Sequence, residues 1–350
     1  MIERFVQLVS VLVMCVVLCA CEHRPLEDPN NGHYVRVYID DSIKNVTYGF
    51  YDESRKRPTY ERPVALRVVL TDPETDNVVT ERFLQSWGQD ERGYYIDGHI
   101  AAAEGEYNLM IYNFGTERTK IRNEKSFNHI LAYTSPVSDS YHQYIPAIKG
   151  EIENSIIRYC PDHLYLVTSE PIKVRKSVGV DTLFNEQGDF FTARTIVKSY
   201  YLQIRIKGFE HINTAVSLLG GMAGSTKMRT RKMVETDVVN VFFDMEYADV
   251  EISRTKEGST KTAVLYATFN TFGKLPNETS MYTLNFEFTR TDGTSQVESI
   301  DITSMFDEPL VKNEQWILLE KEIEIIPAVG TGGMTPDVDE WGDVWSDIEL

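Results

Sequence analysis

From His33 onward apolar and polar residues alternate along the chain, the period expected of strands with one face in a core and the other toward water. In "HYVRVYID" the residues Val35, Val37 and Ile39 fall on one face, with Arg36 and Tyr38 opposite. The alternation recurs in "VALRVVLTD", "NVVTERFL" and "GEYNLMIYNF", separated by the turn formers Asp72-Pro73, Asp97-Gly98 and Glu104-Gly105. Between Thr116 and Pro161 it fails. There "SFNHILAYTSP" and "IENSIIRYC" suggest short helices, and "HLYLVTSEPIKV" reads as one more strand.

The pattern restarts near Pro171, which marks an expected domain boundary. "SYYLQIRIKG" places Leu202, Ile204 and Ile206 on one face, and "MYTLNFEFTR" does the same with Leu284, Phe286 and Phe288. "DVVNVFFDM" and "TAVLYATFNTFG" lie between them, and "SQVESIDIT" and "WILLEKEIEI" follow. No helical period of any length competes. The expectation is an all-β chain of two tandem antiparallel β-sandwich domains, residues 33–170 and 171–328.

The first residues follow a different rule. Phe5 to Ala20 is almost wholly apolar, comes after Arg4 and ends in small residues, as an export signal does. It is interrupted by Gln7 and Ser10 and is shorter than the roughly 20 apolar residues of a membrane-crossing helix. Leu18-Cys19-Ala20-Cys21 resembles the lipobox of bacterial lipoproteins. The resemblance implies a signal peptide over residues 1–20, cleavage before Cys21, and covalent diacylglycerol and N-acyl lipid on Cys21. Residues 21–32, "CEHRPLEDPNNG", are polar and turn-rich and read as a spacer. With Cys15 and Cys19 removed and Cys21 lipidated, only Cys160 remains, so no intrachain disulfide is expected.

Composition narrows the function classes. A chain of 350 residues with 42% hydrophobic content can bury two cores. A formal charge of -18 repels phosphate backbones, which argues against nucleic acid as a partner. Catalytic constellations are hard to find. The histidines are scattered, with no i, i+4 pair suited to a helix-borne zinc site. "LGGMAGSTK" lacks the Gly-Lys-Ser/Thr order of a phosphate loop and reads as a hairpin turn. No Gly-x-Ser-x-Gly elbow is present. The expectation is a non-enzymatic protein without metal or other cofactor. Two basic clusters, Arg55 to Arg57 and Arg229 to Lys232, read as solvated loops, and Cys160 reads as a buried small side chain.

Two features remain as binding candidates. Trp87, in "QSWGQDERGYY", is a candidate platform for a glycan. The tail, residues 329–350, begins with Gly330, Gly332 and Gly333 and continues with six acidic residues and no basic one. Val338, Trp341, Trp345 and Ile348 give it apolar surface for docking, on its own domain or as a strand added to a partner's sheet edge.

Five segments in order resemble one family, the fimbrillin-like lipoproteins of type V fimbriae, including minor-fimbria anchor and accessory subunits. They are "CEH" at Cys21, "EGEYNLMIYNFG" from Glu104, "LLGGMAGS" from Leu218, "ATFNTFGKL" from Ala267 and "IPAVGTGGMTPDVDEW" from Ile326. The resemblance implies transthyretin-like sandwiches and a surface-exposed, lipid-anchored place in the outer membrane and fimbrium. It also implies a role in fimbria (pilus) assembly and cell adhesion, with other fimbrial subunits joined by strand exchange. Host or glycan ligands are the further partners expected.

Overall fold

The computed structural model describes residues 32–42, 60–138, 156–175, 181–255, 258–275 and 281–327. Cys21 and the tail residues Val338, Trp341, Trp345 and Ile348 lie outside the described residues. In chain order the early strands are His33–Asp40 (β1), Leu66–Thr71 (β2), Val78–Leu84 (β3), Ser86–Asp90 (β4), Gly93–Ile100 (β5) and Gly105–Asn113 (β6). Short strands follow at Thr119–Arg122 (β7), Leu131–Thr134 (β8) and Ile157–Tyr159 (β9), then Tyr165–Val174 (β10) and Phe191–Thr195 (β11). The later strands are Lys198–Lys207 (β12), Ile212–Ala223 (β13), Ser225–Lys227 (β14), Lys232–Met233 (β15), Val238–Asp244 (β16) and Glu246–Thr255 (β17). Gly258–Thr271 (β18), Thr283–Arg290 (β19), Ser295–Asp301 (β20) and Trp316–Glu324 (β21) complete the set. Among the described residues one α-helix, Pro309–Glu314 (α1), precedes β21.

The first sheet has the order β3-β2-β6-β10-β11-β1-β5-β4. Its two edge strands, β3 and β4, are separated in sequence only by Gln85, so the sheet must curl until its edges approach. Gly98 permits the approach, because a Cβ there would lie 2.9 Å from Leu84 Cδ2. Eight strands enclose an interior that side chains can fill. Val35, Val37, Leu66, Val68, Ile96, Leu109 and Ile111 fill it, each fully buried. Arg36 and Tyr38 lie on the outer face, as the alternation predicts.

Two further sheets, β17-β18-β12-β21 and β20-β19-β13-β16-β9, pack face to face. Leu202, Ile204 and Ile206 from one meet Leu219, Val241, Leu284, Phe286 and Phe288 from the other, and the rings of Phe243 and Phe269 stack at 4.0 Å. Full burial of each such side chain contributes about 1.5–3 kcal/mol.

Three points differ from the sequence reading. The ladders are mixed: β1 with β11, β12 with β21 and β16 with β9 run parallel, joining segments too far apart in sequence for hairpins. The stretch after Thr116 carries β7, β8 and β9, and no helix among its described residues. Strands of three or four residues are too short to show a period. "LGGMAGSTK" is not a hairpin turn either. Register in β13 shifts between Leu219 and Met222, and Gly221 sits there at φ 84, where a Cβ would lie 2.2 Å from the Met281 carbonyl oxygen. Past this bulge the chain leaves β13 and enters β14 of a fourth sheet, β15-β14-β8-β7.

That crossing is pinned by a side chain from the earlier part of the chain. Arg158 on β9 donates from Nη2 to Asp237 Oδ1 at 2.9 Å, and from Nη1 to Asp237 Oδ2 at 3.1 Å and to the Gly224 carbonyl at 2.9 Å. Early and late segments thus share sheets. Pro171 lies inside β10, within its register shift between Ser169 and Ile172, and β11 still belongs to the first sheet. A cluster that includes Tyr112, Leu164, Leu166, Met228 and Phe272 fills the space between the first sheet and the later strands.

Two predictions follow from these constraints. Gly221→Ala combines a left-handed backbone with a clash against Met281, and it is expected to destabilise the fold by at least about 2 kcal/mol, read as a lowered urea midpoint. His163 packs against Tyr60 at 4.2 Å, and burial pulls its pKa down to about 4, with Asp162 opposing only in part. The unfolded chain takes up this proton below about pH 6.5, and the folded chain only near 4, so stability is present above 6.5 and is lost as pH falls toward 4. Because the ring is only part-buried, the loss is about 2 kcal/mol. His163→Phe keeps a ring against Tyr60 and should flatten this part of the pH dependence; an unchanged slope would contradict the assignment.

Candidate interaction surfaces

Trp87 stands on β4, an edge strand of the first sheet, and is 67% exposed. Its ring centroid lies 6.0 Å from that of Tyr94, whose hydroxyl donates to the Pro63 carbonyl at 3.2 Å. The Arg62 guanidinium lies 5.1 Å above the Tyr94 ring and pairs with Asp41. The result is a held aromatic surface with a polar border. On the opposite, outer face of β1 and β5, Arg36 sits 3.9 Å over Tyr95 and pairs with Asp90 and Asp97. Tyr34 donates to Asp97 at 2.5 Å and Tyr38 to Asp90 at 2.7 Å. Burial, reinforced by the bond to Asp97, pushes the Tyr34 hydroxyl up to about 12. Every charged group in this cluster has a partner, so the cluster fastens the sheet's outer face, while Trp87 stands exposed on the other side of the edge strand.

Sheet edges are a second kind of surface, because an edge strand presents unpaired backbone groups. The sheet β17-β18-β12-β21 has two such edges. β21 carries Glu320, Lys321 and Glu322 exposed, a charged pattern that discourages pairing. β17 exposes apolar groups beside a charge, with Tyr247 62% and Ile252 57% exposed next to the exposed Glu246.

The third surface is a cleft of about 900 Å³ where the Lys227–Met233 hairpin stands beside β10 and β11. Arg194, Arg229 and Arg231 line it, together with Thr168 and Thr192. Arg229 lies 5.3 Å over Phe127 and bonds to Asn128, and Arg231, at φ 56, donates to the Leu166 carbonyl at 3.5 Å. Sequence reading took Arg229 to Lys232 as a solvated loop. These arginines are exposed, but folding brings them to Arg194, some 35 residues earlier, which spacing alone does not reveal. The only legible signal was a basic cluster in a strongly acidic chain.

Other chemistry is sparse among the described residues. No group of three His, Cys, Asp or Glu side chains is placed to hold a metal ion, and no helix is long and apolar enough to cross a membrane. Cys160 is buried, its thiol donates to the Phe242 carbonyl at 3.2 Å, and burial pushes its pKa up to about 12. That keeps it protonated and unreactive.

Residues 73–244 match a family described as a domain of unknown function, DUF5119. The chain is 23% identical over 314 residues, 81% of its length and 84% of the relative's, to the "Putative fimbrium anchoring subunit Fim4B" of Bacteroides ovatus. Its fold is similar to that of a crystal structure of "a putative adhesin from Bacteroides ovatus", with a TM-score of 0.52, 20% identity, and coverage of 90% of this chain and 98% of that one. The fimbrial anchor protein Mfa2 from Porphyromonas gingivalis aligns at a TM-score of 0.38 and 12% identity, over 80% of this chain and 85% of that one. The chain is thus similar along four fifths of its length to a protein named as a fimbrium anchoring subunit, and its fold is similar to that of a protein named as an adhesin, both from Bacteroides ovatus.

Proposed function

We propose that this chain is a lipid-anchored subunit at the cell surface that anchors or completes a fimbrium and associates there with other fimbrial subunits. The reading is carried by one conjunction: a lipobox from Leu18 to Cys21 stands ahead of a chain that resembles an anchoring subunit along 81% of its length. On this reading residues 1–20 are removed and Cys21 carries the diacylglycerol and N-acyl chains. Each buried methylene contributes about 0.8 kcal/mol, so several chains hold firmly to the outer membrane. Residues 21–32 then space the fold from the lipid.

The two β units serve as rigid modules of transthyretin-like type, with the handover between them where β11 gives way to β12. Neighbouring subunits join by strand addition, for which the β17 edge, with Tyr247 and Ile252 exposed, is the candidate acceptor. The tail bearing Val338, Trp341, Trp345 and Ile348 is the docking segment. Cys21→Ser is expected to leave the signal uncut or to release the protein from the membrane fraction, while cross-linked native membranes should yield it together with fimbrial subunits. Unchanged membrane retention of the variant would remove the lipid anchor, and repeated failure to recover a fimbrial partner would remove the assembly role.

The exposure of Trp87 beside Tyr94 favours a second reading, a surface protein that binds glycans on an aromatic platform. It predicts saturable polysaccharide binding that is lost in Trp87→Ala. A glycan panel without any binding would dismiss it.

A further inference from the structure

We propose that the arginine-lined cleft beside β10 and β11 is the resting site of this chain's own acidic tail. Charge is the first argument. Among the residues lining the cleft, Arg194, Arg229 and Arg231 outweigh one carboxylate, Glu186, in a chain whose formal net charge is -18. Arg194 is already engaged with Asp40 at 3.0 Å. Arg229 and Arg231 have no carboxylate within ion-pair distance among the described residues, and they donate instead to the neutral oxygens of Asn128 and Leu166. Arg231 also holds a left-handed φ of 56, an unfavoured conformation for a side chain of this size. Two arginines facing a cleft without an anion to meet them define its ligand as acidic.

The tail has matching chemistry. Asp337, Asp339, Glu340, Asp343, Asp347 and Glu349 come without a basic residue, and Trp341 and Trp345 among them offer flat rings for guanidinium groups to stack on. Arg229 already lies over one ring, that of Phe127.

Reach is the third argument. The described chain ends at Pro327, just after Ile325 bonds to the Lys207 carbonyl, at the far end of β12. The hairpin that bears the arginines adjoins the other end of β12, since Met233 Sδ and the Lys198 side chain both flank Gly273. Those ends are roughly 30 Å apart at about 3.3 Å per strand residue. The sixteen residues that follow Pro327, up to Asp343, can span up to roughly 53–58 Å when extended. The tail therefore reaches the cleft of its own molecule with slack. This placement does not rest on the fimbrial reading, because it concerns a single isolated chain.

The test uses the full chain and a glutamate-specific protease, following cleavage after Glu340 by mass spectrometry with Glu74, in an exposed turn, as the internal control. Neutralising the cleft with Arg229→Gln and Arg231→Gln should speed cleavage after Glu340 roughly five- to thirty-fold, the range that a few solvent-facing ion pairs provide, and leave Glu74 unchanged. Neutralising the tail with Asp337→Asn, Asp339→Asn and Asp343→Asn should do the same, and the two sets combined should add little, as for groups that act on each other. About 0.5 M salt should mimic both. Equal cleavage rates in all variants, or effects that multiply independently, would overturn the proposal. So would protection that rises with protein concentration, which would assign the cleft to a second copy's tail. Binding of an acidic polysaccharide that the cleft variant loses without any change at Glu340 would overturn it in favour of a glycan.

Discussion

The bidentate pair of Arg158 and Asp237 holds together parts of the chain that no turn connects. Arg158 comes from β9, before the first sheet is complete, and Asp237 from the segment leading into β16. Both side chains are largely buried, at 15% and 17% exposure, so the two charges depend on each other. The same guanidinium bonds to Gly224, where the chain passes from β13 into β14, and Ser225 donates to Asp237. A large side chain at Gly224 would occupy this space, since a Cβ there would lie 2.6 Å from Val239 and 2.9 Å from Arg158. The pin and the small residue beneath it thus set the point at which one sheet hands the chain to another.

How much of this could be read beforehand depended on the length and locality of each element. Val35, Val37 and Ile39 were legible as one buried face because eight residues of alternation leave a single consistent inside. The core faces of β12 and β19 were legible for the same reason. β7, β8 and β9 were not, since three or four residues carry no period and their partners lie elsewhere in the chain. Gly220 and Gly221 announced a backbone irregularity, but a bulge and a hairpin turn demand the same residues, and only the Met281 carbonyl distinguishes them. The parallel partner of β1 arrives some 150 residues later, and period two says nothing about which strand will lie alongside.

The candidate surfaces divide along the same line. Trp87 was visible as an isolated aromatic residue in a polar stretch, and its exposure needs only the edge position of β4. The arginine cleft is assembled from four separated segments, so its charge becomes a site only after folding. The proposed function therefore combines a linear signal, the lipobox-like segment ending at Cys21, with surfaces that exist in three dimensions alone.

The parallel register of β1 and β11 has a mechanical consequence. β1 is the first described strand, and β11 is the last of its sheet before the chain continues into β12. Tension that enters ahead of β1 and leaves beyond β11 pulls two parallel strands from opposite ends. Their backbone bonds are then loaded together in shear, and cannot open one after another as in a peeled hairpin. A molecule tethered on one side and hauled on the other would resist along its strongest direction. Strand order alone would thus give this β fold the behaviour of a load-bearing link.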